Sequence, residues 1–388
     1  MKAVTISRRD VAAIALASSI VLSFCSIAAS QILLGLALAL FLSLRIKPNW
    51  PPGMAWAAAF LALTLIAAAF SGEPRSAYPQ IKKLYLWTLL PLGATMLARS
   101  AFVWPALLVA SASALWSFVE FYQKWQAASV AHLDFYTAYV ASRITGFMSH
   151  WMTFGAQMLI AYSLSLAILL FSKQSTKWRI VLFAATAIFG LAILLGETRS
   201  IWLGAVISTA VLLAARKPWS LAAIPAILLL TFFVAPEPIR ARIESVFRPH
   251  GQLDSNEHRA VTREVGFNMI AAHPLLGLGP EGPGKHFKDY LPEERKNRRL
   301  PEGYYGHLHN VYLQYAAERG IPALICFLIF VGINVRSWLI RPGPIQYFAL
   351  AAVAGLAAEA LFEHNVGDSE VLTLFLALFG IAARNDSA

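Results

Sequence analysis

VAAIALASSIVLSFCSIAA, from Val11 to Ala29, and LAAIPAILLLTFFVA, from Leu221 to Ala235, contain no charged side chain. Such runs are sized for hydrocarbon: about 20 helical residues cross the roughly 30 Å apolar layer of a bilayer. Lipid offers no partner to a backbone N–H or C=O, so these segments are expected to be helices. The whole chain has the same character. Of 388 residues, 58% are hydrophobic and 14% charged, with a mean hydropathy of +0.59. A soluble domain carries about 25% charge. The fold class expected is therefore an all-α integral membrane protein. Cys25 and Cys326 both lie in apolar runs and read as small hydrophobes, not as a disulfide or a metal pair.

About twelve transmembrane helices are expected, near 11–29, 31–44, 53–70, 84–98, 102–118, 152–171, 180–196, 201–215, 220–235, 321–335, 346–362 and 370–383. With Ser7-Arg8-Arg9 read as a topology signal on an uncleaved first helix, the basic residues sort by side. Fourteen, including Arg45, Lys47, Lys173, Lys177, Arg216, Arg336 and Arg341, fall in cytoplasmic connections. Six fall in the short outer loops, among them Lys83, Arg143 and Arg199. This asymmetry places both termini in the cytoplasm. It also accounts for the net charge of +11. The basic residues are scattered, and no aromatic-basic motif gathers them for nucleic acid.

Residues 1–388 are read as a single membrane domain, with a large, partly helical loop at 236–308 on the outer side, between the ninth and tenth spans. Loops that long are usually functional or disordered. Here the pattern is structured. Asn256 can cap a helix reaching Ala272, with Val261, Val265 and Met269 on one face. His273-Pro274 ends it, and Gly277-Leu278-Gly279-Pro280 is turn material.

The densest polar group runs Gly306-His307-Leu308-His309-Asn310-Val311-Tyr312-Leu313-Gln314, closing at Glu318-Arg319-Gly320-Ile321-Pro322. The Gly320-x-Pro322 stop predicts a surface helix over 308–319, with a span beginning near Pro322. On such a helix Asn310 and Gln314 share a face, whereas Glu318 faces away from His309. A carboxylate that orients His309 must then come from elsewhere. The helix also turns His307 and His309 about 200° apart. With no third ligand evident, the pair does not read as a metal site. The alternative reading of both histidines is interfacial and structural. Arg199 opens a span after a very short loop, either as a snorkelling anchor beside Trp202 or as a fixed outer-face cation. Arg259 and Arg263, four apart, either converge on a polyanion or pair with Glu257 and Glu264. Arg143, Gly146 and His150 precede the sixth span.

Three of these features resemble one family. His309-Asn310, nine residues, Gly320 is similar to the H-N-x9-G signature of bacterial O-antigen ligases. Arg199-Ser-Ile-Trp-Leu203 is similar to their outer-loop arginine-x3-leucine motif. The Pro274–Pro280 turn and the long loop before the tenth span fit the wider superfamily, which includes O-antigen polymerases and protein O-oligosaccharyltransferases. Ala323 departs from the Gly, Thr or Tyr of the ligase signature.

The resemblance implies a GT-C-like glycosyltransferase of the bacterial inner membrane, with its site on the periplasmic side. Its donor would be a glycan on undecaprenyl pyrophosphate, and its acceptor a hydroxyl of lipid A-core or another glycan. His309 would be the base. Arg199, Arg259, Arg263 and Arg143 would bind the pyrophosphate, with His307, Asn310, Gln314 and His150 supporting. Transfer would be inverting, with no metal and no cofactor. The alternatives are an O-antigen or exopolysaccharide polymerase and, from another class, a polytopic transporter. A transporter would place ionisable groups at the bilayer midplane, whereas these spans gather them at one end.

Overall fold

The computed structural model describes residues 7–97, 99–246 and 256–383. Among them the regular structure is entirely helical. The main helices are α1 (Arg8–Leu22), α2 (Ile27–Ser43), α3 (Met54–Phe70), α4 (Leu89–Met96), α5 (Arg99–Val130), α6 (Phe135–Ala141), α7 (Trp151–Phe171), α8 (Thr176–Leu195), α9 (Arg199–Arg216), α10 (Ala223–Val234), α11 (Glu237–Glu244), α12 (Asn256–Ala272), α13 (Val311–Ile340), α14 (Pro344–Glu359) and α15 (Ser369–Ala382).

Among the described residues, five stretches are long and apolar enough to cross a membrane: Phe102–Val130, Trp151–Phe171, Thr176–Leu195, Arg199–Arg216 and Val311–Ile340. Shorter apolar helices occupy Ile27–Ser43, Met54–Phe70, Pro218–Val234, Pro344–Glu359 and Ser369–Ala382. The other two expected spans come out reduced. The first ends at Leu22, because the Ser26 side chain accepts from Ala29 N and caps a new helix. The fourth is a seven-residue 3₁₀ stretch, Lys82–Thr88, followed by α4.

The stretch between the fifth and sixth expected spans is mostly helix. No Gly or Pro interrupts the chain between Pro105 and Gly146, so α5 continues to Val130 and α6 follows. Asp134 caps α6 by accepting from Thr137 N.

Small residues set the helix packing. A Cβ built on Gly204 of α9 would lie 2.9 Å from the Gly355 carbonyl oxygen of α14, so the two backbones touch. Close approach through small residues is how membrane helices gain packing energy when lipid is as apolar as their side chains. Nearer the site, Phe60, Trp87, Tyr315, Phe327 and Phe330 form a chain of aromatic contacts with ring centroids 5.1–6.0 Å apart.

The segment between α10 and α13 has a core of its own. Val261, Val265 and Met269 of α12 pack with Phe287, Leu291, Leu308 and Ala317. The turn after α12 locks onto a break in α13. Gly320 has φ 82 and ψ 163 within an otherwise helical run, and a Cβ there would sit 2.0 Å from the Leu275 carbonyl oxygen. The break lets Ile321 N donate to Pro274 O and Leu278 N to Ala317 O, each at 2.8 Å. Gly277 (φ 64) meets the Glu318 backbone at the same junction. The Pro274–Gly279 turn and the Gly320-x-Pro322 stop are therefore two sides of one contact. Helix from Val311 to the break at Gly320 rises about 1.5 Å per residue, or roughly 14 Å in all. That length fixes how far Asn310, and His309 before it, stand from the membrane-spanning part of α13.

Candidate active site

The predicted surface helix over 308–319 begins later than expected. Asn310 is its N-cap: its side-chain Oδ1 accepts from Leu313 N at 2.9 Å, so helical geometry starts at Val311. His307 and His309 thus precede the helix, and His309 has φ 48. This overturns the expectation that their rings diverge. With no helical phase between them, the ring centroids lie 4.1 Å apart, and His309 N donates to His307 Nδ1 at 3.2 Å. Gln314 accepts from Leu308 N through Oε1 and donates to Glu318 Oε1 through Nε2, both at 2.8 Å.

The start of α13 is tied to the end of α14. Val311 N donates to Ala360 O at 2.9 Å, and Asn310 Nδ2 to Leu361 O at 2.9 Å. These bonds bring Glu363 to His309. Glu363 Oε1 and Oε2 lie 2.9 and 3.1 Å from His309 Nδ1, with the Glu363 side chain only 4% exposed. This is the carboxylate that the surface-helix reading required from another part of the chain. Burial alone would raise the Glu363 pKa. The hydrogen bond from His309, that ring's charge and Arg259 outweigh burial and hold the carboxyl down at about 2.

The two histidines and Glu363 lie on the wall of a cavity of about 960 Å³. One side of it is basic. Arg259 Nη2 is 3.5 Å from Glu363 Oε1. Arg199 Nη1 donates to Ser245 O at 3.1 Å and its Nη2 to Asn256 Oδ1 at 2.8 Å. Arg143 Nη1 donates to Thr198 Oγ1 at 3.4 Å, and its guanidinium lies 5.5 Å from the centre of the Trp151 ring. Burial, then the neighbouring Arg242 charge, lowers the Arg143 pKa to about 9, so it remains a cation at neutral pH. Arg242 donates from Nε to Glu197 O at 3.0 Å and from Nη1 to Tyr136 Oη at 3.3 Å. The Glu197 carboxyl is buried beside Arg242 and Arg143, and burial raises it to about 7 against their pull.

Arg263 does not join this group. It is exposed and absent from the cavity wall, whereas His258 and Arg259 line it. Four residues along α12 are about 6 Å along the axis, which carries Arg263 past the cavity's end. Glu264 beside it pairs with Arg295 at 2.9 Å.

The lining also includes Gln80, Lys83, Glu281, Glu318, Asp368 and Glu370. Lys83 Nζ donates to Gly367 O at 2.6 Å, and Thr153 Oγ1 to Asp368 Oδ2 at 2.7 Å. His150, also on the wall, caps α7 by accepting from Met152 N on Nδ1, and burial lowers its pKa. The same cause, with the His309 charge second, brings His307 and His258 to about 4, so both rings are neutral near pH 7.

His307, His309 and Glu363 offer ligand atoms within 4.8 Å of one another. Glu363 is thus the third potential ligand that was not evident in the sequence. In this arrangement His309 Nδ1 meets Glu363, and His307 Nδ1 accepts from His309 N.

Sequence reasoning missed Glu363, His258, Arg242 and Lys83. The one local sign of Glu363 was the polar run Glu363-His364-Asn365 between two apolar spans.

A cavity lined by arginines and a buried histidine–carboxylate pair, in a chain of apolar helices, fits a membrane enzyme. Comparison with known proteins narrows it. Residues 183–328 match the family model described as O-antigen ligase, which bears out the resemblance carried by Arg199, His309 and Gly320. The match spans well under half of the chain and supports an enzyme of the O-antigen ligase and polymerase type. No curated protein matches the chain.

Proposed function

We propose that this protein is an O-antigen ligase-type glycosyltransferase of the bacterial inner membrane. It moves a glycan from undecaprenyl pyrophosphate to a hydroxyl of lipid A-core. The 236–308 segment and the cavity face the periplasm, and both termini are cytoplasmic. The observation that carries this reading is the pairing of His309 with buried Glu363 on the wall of an arginine-lined cavity.

The chemistry asks for little more. A pyrophosphate departs as a stable anion, so the leaving group needs fixed positive charge, not a proton donor. Arg199, Arg259 and Arg143 supply that charge already held in place, which avoids reorganisation as the bond breaks. Arg242 adds to it. The attacking hydroxyl needs a base, and His309 takes its proton as oxygen bonds to the anomeric carbon. Glu363 holds Nδ1 and stabilises the imidazolium as it forms, the role a carboxylate plays behind a catalytic histidine in hydrolase triads. One base and one displacement give inversion. No step calls for a metal.

The test is transfer from a polyprenyl-pyrophosphate oligosaccharide to lipopolysaccharide lacking its outer polysaccharide. His309→Ala should reduce it by about 10²- to 10⁴-fold, the usual range for general-base catalysis, with donor binding retained. His307→Ala should be milder. Product formed only on a second lipid-linked glycan would make the protein a polymerase. Loss of donor binding in both histidine variants would make these residues structural and sink the assignment.

A further inference from the structure

The Tyr304 carbonyl oxygen lies between two imidazoles. His309 Nε2 is 2.9 Å from it and His258 Nε2 is 3.0 Å from it. With Glu363 on Nδ1, both ring nitrogens of His309 face atoms that only accept hydrogen bonds. A carbonyl has no proton to give, so in this arrangement His309 donates from both nitrogens and cannot work as a base. His258 presents Nε2–H to the same oxygen. A carbonyl oxygen with its two lone pairs satisfies both donors.

The segment bearing that carbonyl is lightly held. Glu302, Gly303 and Tyr304 are exposed in succession, whereas Pro301 and Leu308 on either side are buried. The Tyr304 side chain is 65% exposed and adds no buried anchor. The neighbouring Tyr305 does pack, 4.7 Å from Phe287 and 4.6 Å from His258 between ring centroids, and its hydroxyl donates to Pro301 O at 2.7 Å. The ends of the segment are therefore fixed, and its middle is held by the two imidazole contacts, by the Tyr304 ring 5.2 Å from His307 between centroids and by the exposed Glu302–Arg299 pair at 3.6 Å. Few buried contacts are what permit local opening at small cost.

We propose that the acceptor's hydroxyl oxygen binds where the Tyr304 carbonyl oxygen now sits, between His309 Nε2 and His258 Nε2, after residues 302–304 withdraw. This rests on the transferase reading above. The closed segment is then a self-made stand-in for the acceptor, which covers the base until a sugar hydroxyl displaces it. When the carbonyl leaves, His309 Nε2 releases its proton to water. The incoming hydroxyl then donates to the bare Nε2 while accepting from His258 Nε2–H. In the reaction the O–H proton passes to His309 Nε2 and the hydroxyl oxygen bonds to the anomeric carbon. The bond from that carbon to phosphate breaks, and its electron pair leaves with the pyrophosphate. His258 thereby orients a lone pair of the acceptor oxygen towards the reacting carbon.

Gly303→Ala tests this. A Cβ there would lie 2.3 Å from His258 Cδ2 in the closed form, so either the segment or the ring shifts and the His258–carbonyl contact is lost. Loss of one net hydrogen bond weakens the closed state about fivefold. The acceptor KM, measured with lipopolysaccharide lacking its outer polysaccharide, should fall by up to about that factor, with the donor KM unchanged. An unchanged or raised acceptor KM would overturn the proposal. A spin label on Glu302→Cys in otherwise unaltered protein reads the same motion without relying on that variant. Its mobility should rise when the acceptor is added, and no change would likewise overturn the proposal. Absence of any transfer by the unaltered protein would instead count against the underlying reading.

Discussion

Replacing Glu363 by glutamine keeps the shape of the side chain and an oxygen able to accept from His309 Nδ1, but removes the charge. Its worth follows from the site. The carboxyl falls from 4.5 to about 2 although it is buried, with His309 the foremost opposing influence and Arg259 the next. At 1.36 kcal/mol per tenfold, that drop is about 3 kcal/mol of net preference for the ionised form. The anion that His309 Nδ1 contacts also faces the imidazolium that forms as the acceptor is deprotonated. Glu363→Gln should therefore lower kcat by about 30- to 200-fold, since 1.4 kcal/mol is tenfold. Glu363→Asp, one methylene short, should fall between wild type and glutamine. The assay is transfer at matched protein level, with kcat and both KM values followed across pH. Activity within threefold of wild type would refute the dyad. Loss of donor binding or of protein, with a normal kcat in what remains, would make Glu363 a structural ion-pair partner of Arg259 only.

Arg199→Lys should not rescue Arg199→Ala in the same assay. The guanidinium meets Ser245 O and Asn256 Oδ1 from two different nitrogens, a fork an ammonium cannot reproduce; near-normal transfer by the lysine variant would reduce Arg199 to a simple charge or anchor. Gly320→Ala should abolish stable expression or cost more than about 3 kcal/mol, because strained backbone and overpacking combine there; wild-type unfolding behaviour would show that the Leu275 contact is not fixed. Acidification should destabilise the fold through His258 and His307. Both sit near 4 against 6.5 in the unfolded chain, so between those values the unfolded state holds more protons and stability falls as pH is lowered. Thermal unfolding in detergent between pH 7 and 4.5 should show that slope, and a His258→Gln, His307→Gln double variant should flatten it.

Sequence alone determined the properties that depend on neighbours along the chain. Long uncharged runs forced helices, because backbone in lipid has no other partner. Gly320 and Pro322 marked a real break in α13, since φ and the missing proline N–H are local facts. The sequence reading put Asn310 inside a helix over 308–319, whereas it is the N-cap and so leaves His309 outside the helix. What the tertiary structure decided were the pairings between distant segments. His309 and Glu363 are 54 residues apart, and only the ties from Val311 and Asn310 to the end of α14 bring them together. Arg259 and Arg263 look equivalent in the sequence, yet only Arg259 lines the cavity. The Tyr304 carbonyl left no trace in the sequence at all. Every residue has that oxygen, and only the path of the folded chain aims one at two imidazoles.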